Sequence, residues 1–295
     1  LSRLNINNDS PISVAVIDTG VNNGHQLLAP IITGVAYLLA IMPRISHRPS
    51  MGLFTQKYFA HRGLYNNDSD SPENSLNAFK KAVERGYGIE LDVQLTKDKK
   101  VVVVHDFDLK RICGVDKKIS DLTYKELSQY KIFGSDCGIP LFIDVLEVID
   151  GKVPLIIEYK LPGFNTLVCE IVDEMLQDYK GDYMVESFHP MAIYWYKKNR
   201  PDVFRGILAS DYKADGSAEG TSPIVMSMSK NLLFNFLIRP DFVAYDCRFY
   251  NNTSRQICDR LYKVTSVAWT IKSQKELNDR RNDYDLFIFE GFIPN

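Results

Sequence analysis

The chain has 295 residues, 45% hydrophobic and 24% charged, with a formal net charge of -2, the profile of a globular chain with room for one large domain or two small ones. That near-neutral balance gives no electrostatic footprint for nucleic acid. Five cysteines, an odd number with no Cys-x-x-Cys pair, argue against a disulfide scaffold or a zinc-thiolate site and point to a reducing compartment.

At the N-terminus, Ile12 to Val21 reads as a buried strand ending in an acidic turn at Asp18-Thr19-Gly20. The stretch resembles the segment of subtilisin-like serine proteases that carries their catalytic aspartate, a role that would fall on Asp18. The resemblance covers about the first 33 residues only. No His-Gly-Thr occurs, and Gly220-Thr221-Ser222 is followed by Pro223 in a polar stretch. The segment therefore reads as an appended or fused fragment. No charged residue lies between Thr19 and Pro43, and Leu27 to Met42 is mostly apolar. A bilayer span needs about 20 apolar residues; this run is shorter and contains Pro30 and Gly34. Arg44, His47 and Arg48 follow it. Two readings stay open: the remnant of a membrane anchor with basic residues on the cytoplasmic side, or a helix packed on the protein. It lacks the charged n-region and cleavage site of a signal peptide. The expected location is cytoplasmic, or at a membrane through residues 27–42 with the main domain on the cytoplasmic side. Pro43 to Met51 reads as a linker, which divides an appended segment, 1–50, from a domain, 51–295.

From about residue 56, strands and helices alternate. Lys57 to Ala60 is a predicted strand. Ser75 to Arg85 has Leu76, Phe79, Ala82 and Val83 at helical spacing, with Asn74 or Ser75 as cap and Gly86 behind. Ile89 to Leu95 and Val101 to Val104 are predicted strands around a charged turn, the second apolar throughout as in a strand buried on both faces. Helices follow at Thr123 to Tyr130 and after Pro140. Val153 to Glu158 is a strand, and a helix runs from about Thr166 to Tyr179. Strands then recur at Tyr183 to Val185, Phe204 to Leu208, Phe242 to Tyr245, Ser266 to Ile271 and Leu286 to Phe289, with helices at Met191 to Lys198 and near Gln274 to Asp279. Asp211 to Ser222 reads as an exposed loop. The apolar run Ile224 to Ile238 reads as a buried or barrel-capping helix or, in the rival reading, a substrate- or membrane-facing lid. About eight strands, most followed by a helix, predict an α/β fold of the TIM (β/α)8 type with an appended N-terminal segment.

In such barrels chemistry sits at the C-terminal strand ends, and His61, His105, Glu158 and Glu186 all fall at predicted ends. Glu90 and Asp92, two apart in one strand, project to the same face. With Glu158 they form an oxygen-ligand set that suits Mg2+ or Ca2+ better than zinc or copper. Arg62 and Lys160 can hold phosphate oxygens through charge-assisted hydrogen bonds. His61 and His105 titrate near pH ~6.5 in the reference state, as a general acid and base require. Glu73 and Trp269 are placed with the substrate, Trp269 as pocket wall; for Glu73 the rival role is to cap the first helix.

Taken together, His61-Arg62-Gly63, Pro72-Glu73-Asn74-Ser75, Glu90-Leu91-Asp92-Val93, His105-Asp106, Ile157-Glu158-Tyr159-Lys160, Ser187-Phe188 and Ala268-Trp269-Thr270 resemble the glycerophosphodiester phosphodiesterase family over residues 56 to 295. The resemblance implies a TIM barrel, one divalent cation, and hydrolysis of a small glycerophosphodiester to glycerol 3-phosphate and an alcohol. It implies Glu90, Asp92 and Glu158 as metal ligands, His61 and His105 as the acid/base pair, and Arg62 and Lys160 as phosphate-holding groups. Phe289-Glu290-Gly291 stands where many relatives show an Asp-containing turn. The rivals are a lysophospholipase D-like or phosphoinositide-cleaving enzyme on the same barrel, and a catalytically dead barrel that only binds.

Overall fold

Eight of the apolar runs become parallel strands that close into a ring. The structure, a computed structural model, describes residues 29–51, 54, 58–214, 216 and 222–295. Strands β1 (Tyr58–His61), β2 (Gly88–Leu95), β4 (Leu155–Tyr159), β5 (Tyr183–Ser187), β6 (Arg205–Ala209), β7 (Phe242–Asp246), β8 (Thr265–Ile271) and β9 (Leu286–Phe289) pair in parallel. Pairing of β1 with both β9 and β2 closes the barrel, and the expected TIM fold is confirmed. The protease-like stretch around Asp18 and the pair Gly220-Thr221 lie outside the described residues.

One strand departs from the expected pattern. Strand β3 (Val101–Val103) pairs antiparallel with the far end of β2 and stands outside the ring. A short apolar run carries no information about direction, so it read as one more barrel strand. Leu95 pairs with Val101, and the chain then descends until the Val104 N–H meets the Asp92 carbonyl. His105 therefore reaches the barrel mouth from above rather than from the end of a parallel strand. The excursion that follows packs Val102, Val104, Leu109, Ile112, Ile119, Leu127 and others into a small core of its own.

Alternation along each strand separates two further cores. Phe59, Ile156, Met184, Phe204, Leu208, Phe242, Ala244, Val267, Leu286 and Ile288 fill the barrel interior. Residues of the opposite parity, such as Leu91, Ile157, Val185 and Val243, face the helices. Gly206 is required by this interior: a Cβ there would lie 2.1 Å from the Phe242 ring.

The outer layer is made of α2 (Leu76–Arg85), α5 (Phe142–Ile149), α6 (Leu167–Leu176), α7 (Pro190–Asn199), α10 (Thr253–Arg260) and α11 (Gln274–Arg280), with the short turns α3 (Lys110–Cys113) and α4 (Tyr124–Leu127) on the excursion. Ser75 caps α2 by accepting from the Ala78 N–H. The run Ile224 to Ile238 is not one buried helix. It breaks into α8 (Pro223–Lys230) and α9 (Asn235–Ile238), with Leu232 between them in the left-handed region at φ 56°. No residue of α8 is buried, and Ile224 is 71% exposed.

Residues 29–41 form helix α1, which runs alongside α10. Tyr37 meets Ser254 at the start of α10 (2.6 Å), and the Ile41 carbonyl accepts from Asn235 and Cys258. The stretch read as a linker is tied down as well: the Arg44 N–H donates to the Pro240 carbonyl, and Arg48 donates to the Tyr262 carbonyl. Residues 29–36 lie ahead of Tyr37, so at 1.5 Å per residue α1 extends about 12 Å beyond the start of α10, on the side of the strand C-termini. No helix among the described residues is long and apolar enough to cross a membrane.

Candidate active site

The parity that fills the interior also selects the mouth. Two positions beyond an inward apolar residue, each strand turns a polar or aromatic group to the same side: His61 after Phe59, Glu158 after Ile156, Glu186 after Met184, Asp246 after Ala244, Trp269 after Val267 and Glu290 after Ile288. Gly88 faces the Phe59 ring, so Glu90 and Asp92 point inward too. Register fixes their heights: His61 lies level with Glu90, and Asp92 with Glu158 and Glu186.

Glu90, Asp92 and Glu158 are buried and each offers an oxygen within 4.8 Å of the others. Lys160 Nζ lies 3.0 Å from Asp92 and 2.6 Å from Glu158, and Asn74 donates to Asp92 at 2.8 Å. The backbone N–H of Arg62, in the left-handed region, donates to Glu90 at 3.0 Å. Burial and the neighbouring Asp92, Glu158 and Glu186 push the Glu90 carboxyl well up. Burial also lifts Glu158 to about 7, against the pull of Lys160. At Asp92 the cations, Lys160 first, outweigh burial and hold the carboxyl well below its ordinary range. Crowded acids whose charge is this strained fit a hard divalent cation, which would supply the missing countercharge.

Both histidines are held the same way. His61 Nδ1 lies 2.6 Å from Glu290, whose carboxylate also receives Tyr65 and Lys272, and its Nε2 lies 3.9 Å from Glu90. His105 Nδ1 lies 2.6 Å from Asp106, which Arg111 grips through Nε at 2.7 Å. Burial lowers the pKa of His61, with Arg62 adding to the effect, and burial and Lys160 bring His105 down to about 4. Neutral imidazoles that donate from Nδ1 leave Nε2 as the exchanging nitrogen.

The structure brings all nine residues singled out from the sequence to one mouth, Glu73 through its contact with Arg62. Glu73, expected with the substrate, has both oxygens occupied by Arg62 (2.7 Å), Arg111 (2.6 and 2.9 Å) and Asn67 (3.2 Å). It fixes two arginines, a carboxylate would repel phosphate, and the helix cap is Ser75 instead. Trp269 does line the mouth, with its ring edge-on to Phe188 at 5.3 Å. Glu290, Asp106, Arg111, Asn74 and Glu186 were not assigned site roles from the sequence. Parity alone would have found Glu290 and Glu186, once Ile288 and Met184 are seen to point inward.

Residues 61–201 match the Glycerophosphoryl diester phosphodiesterase family. The rat protein named lysophospholipase D GDPD1 is 33% identical over 162 residues, covering 50% of this chain and 50% of that protein. The chain thus spans half the length of that relative. A Bacillus altitudinis protein named glycerophosphodiester phosphodiesterase is 34% identical over 169 residues, 52% of this chain and 67% of it. The crystal structure of the glycerophosphodiester phosphodiesterase from Thermotoga maritima superposes with a TM-score of 0.58 at 27% identity, covering 79% of this chain and 93% of that one. Matched in sequence through the half of the barrel that carries the carboxylates and both histidines, and in fold around the whole ring, the chain belongs to the glycerophosphoryl diester phosphodiesterase family.

Proposed function

We propose that the chain hydrolyses glycerophosphodiesters to glycerol 3-phosphate and an alcohol, using one divalent cation, Mg2+ or Ca2+. The observation that carries this reading is a pair of carboxylate-held imidazoles beside three buried, mutually close carboxylates on one barrel rim. Glu90, Asp92 and Glu158 would hold the cation, which when bound neutralises a phosphate oxygen and polarises the phosphorus. Lys160 and Arg62 hold further phosphate oxygens, and Glu73 keeps the Arg62 guanidinium in place. One imidazole takes a proton at Nε2 from the attacking hydroxyl, either water, which gives glycerol 3-phosphate directly, or the glycerol 2-OH, which gives a cyclic phosphate that water then opens to glycerol 3-phosphate. The other must enter the step as an imidazolium, the form its carboxylate partner stabilises, and gives its Nε2 proton to the departing alkoxide as the phosphorus–oxygen ester bond breaks.

The test is release of glycerol 3-phosphate from glycerophosphocholine and glycerophosphoethanolamine, first with EDTA, then with Mg2+ or Ca2+ restored. Activity abolished by EDTA and recovered with one cation is the expected result. Folded protein that is inactive with either cation would sink the reading.

A second reading, a lysophospholipase D-like enzyme that meets its substrate at a membrane, is favoured by the apolar α1 and α8 and by the name of the rat relative. Lysophosphatidylcholine turned over faster than glycerophosphocholine would select it.

A further inference from the structure

Glu186 is the one carboxylate level with Asp92 and Glu158 that the reading above leaves without work. It follows Met184 on the inward face of β5, is 1% exposed, and stands outside the group of acids that can converge on one cation. Lys160 pairs with Asp92 and Glu158. Among the described residues nothing donates to the second oxygen of Glu186. A buried acceptor left unmade is costly, so such an atom marks the place of a donor that arrives with a ligand. The indole N–H of Trp269 and the side-chain oxygen of Asn74 are likewise buried and unpartnered at the same mouth. A phosphate oxygen cannot serve this atom of Glu186, because it has no proton to donate to it. The cationic positions nearby are filled by Lys160 and Arg62. A neutral hydroxyl fits the remaining requirement.

We propose that Glu186 accepts a hydrogen bond from a free hydroxyl of the substrate's glycerol moiety and so selects glycerol-bearing phosphates over phosphates without hydroxyls. This rests on the glycerophosphodiester reading and names the part of the ligand that this residue recognises. Glu186 is a specificity residue and takes no proton in the reaction.

The experiment compares binding of sn-glycerol 3-phosphate and of inorganic phosphate, by calorimetry in Mg2+, to the wild-type chain, Glu186→Gln and Glu186→Leu. The wild-type chain is expected to prefer glycerol 3-phosphate, and Glu186→Leu to lose about tenfold of that preference, the range of one buried hydrogen bond. Glu186→Gln keeps a neutral acceptor, so it retains part of the preference and carries the test if the leucine variant does not fold. Equal weakening of both ligands would overturn the proposal, because Glu186 would then act through the cation site. Unchanged preference would overturn it as well. A wild-type chain that shows the preference but cleaves no glycerophosphodiester would refute the activity and leave the role of Glu186 standing.

Discussion

Each imidazole at the mouth is held by a carboxylate, His61 by Glu290 and His105 by Asp106. Glu290 receives His61, Tyr65 and Lys272, and its carboxyl is held below the usual range by His61 and Lys272 despite burial. Replacing Glu290 with Gln keeps the shape and removes the charge that fixes the Nδ1–H tautomer. Steady-state kinetics on glycerophosphocholine should show kcat lower by about 10–100-fold with KM little changed, the scale of losing an orienting partner. A comparable rise in KM would place Glu290 against the substrate instead. His105 allows a test without turnover. Its folded pKa, about 4, lies below the unfolded value near ~6.5, so the unfolded chain binds more protons in between. Stability from this group is therefore present above pH ~6.5 and lost as pH falls towards 4. The difference in unfolding free energy between wild type and His105→Gln, followed in EDTA, should rise with pH across that window. A flat difference would contradict the assigned shift. These carboxylates show how the site was only partly legible. The sequence marks residue types and spacing, which brought forward His61, Glu90, Asp92 and His105 as candidates, and the barrel places them on one rim. The Glu290–His61 contact joins residues 229 apart, and only closure of β9 onto β1 creates it.

Among the elements, the barrel strands were readable because alternation and burial leave a strong imprint on short apolar runs. Direction leaves none, and β3 shows the consequence. Its three valines satisfy a parallel and an antiparallel neighbour equally, and the five-residue charged turn at 96–100 is compatible with a hairpin. The outcome matters for the site, since descent along β3 brings His105 to the level of Asp92. The run from Ile224 to Ile238 failed for another reason: its hydrophobicity suggested burial, yet the helix breaks at Leu232 and α8 stays exposed. Interior packing is the constraint most open to measurement. At Gly206 an added methyl would fall 2.1 Å from a Phe242 ring that stacks on Phe204 at 5.4 Å. Overpacking of a closed interior costs about 1–3 kcal/mol or more. Gly206→Ala should lose stability of that order in urea unfolding, and a loss under about 0.5 kcal/mol would mean that the ring has room to move.

For the whole molecule, the side of the barrel that carries the mouth differs from an ordinary protein surface. On α1, Ile31, Ile32, Val35 and Leu39 are 50–64% exposed, and α8 adds Ile224 and Val225. The carbonyl of Lys230, at the end of α8, accepts from Asn252, the cap of α10, and Ser254 in the next turn meets Tyr37 of α1. Two helices from distant parts of the chain therefore expose apolar side chains along one edge of the rim. A helix that is apolar on every side is stable where it is surrounded by protein or lipid, and among the described residues no helix is long and apolar enough to cross a membrane. Lying in the headgroup region satisfies both conditions and would set the mouth beside the lipid. Burial of each half-exposed Ile or Val contributes about 1 kcal/mol, so Ile31→Ser, Ile32→Ser and Val35→Ser combined should weaken binding to phosphatidylcholine vesicles by about 100-fold. Co-sedimentation measures this, and turnover of water-soluble glycerophosphocholine should stay unchanged because none of the three lies in the mouth. If the wild-type chain ignores vesicles and instead dimerises through these residues in analytical ultracentrifugation, a second copy rather than lipid covers α1, and the membrane reading falls with it.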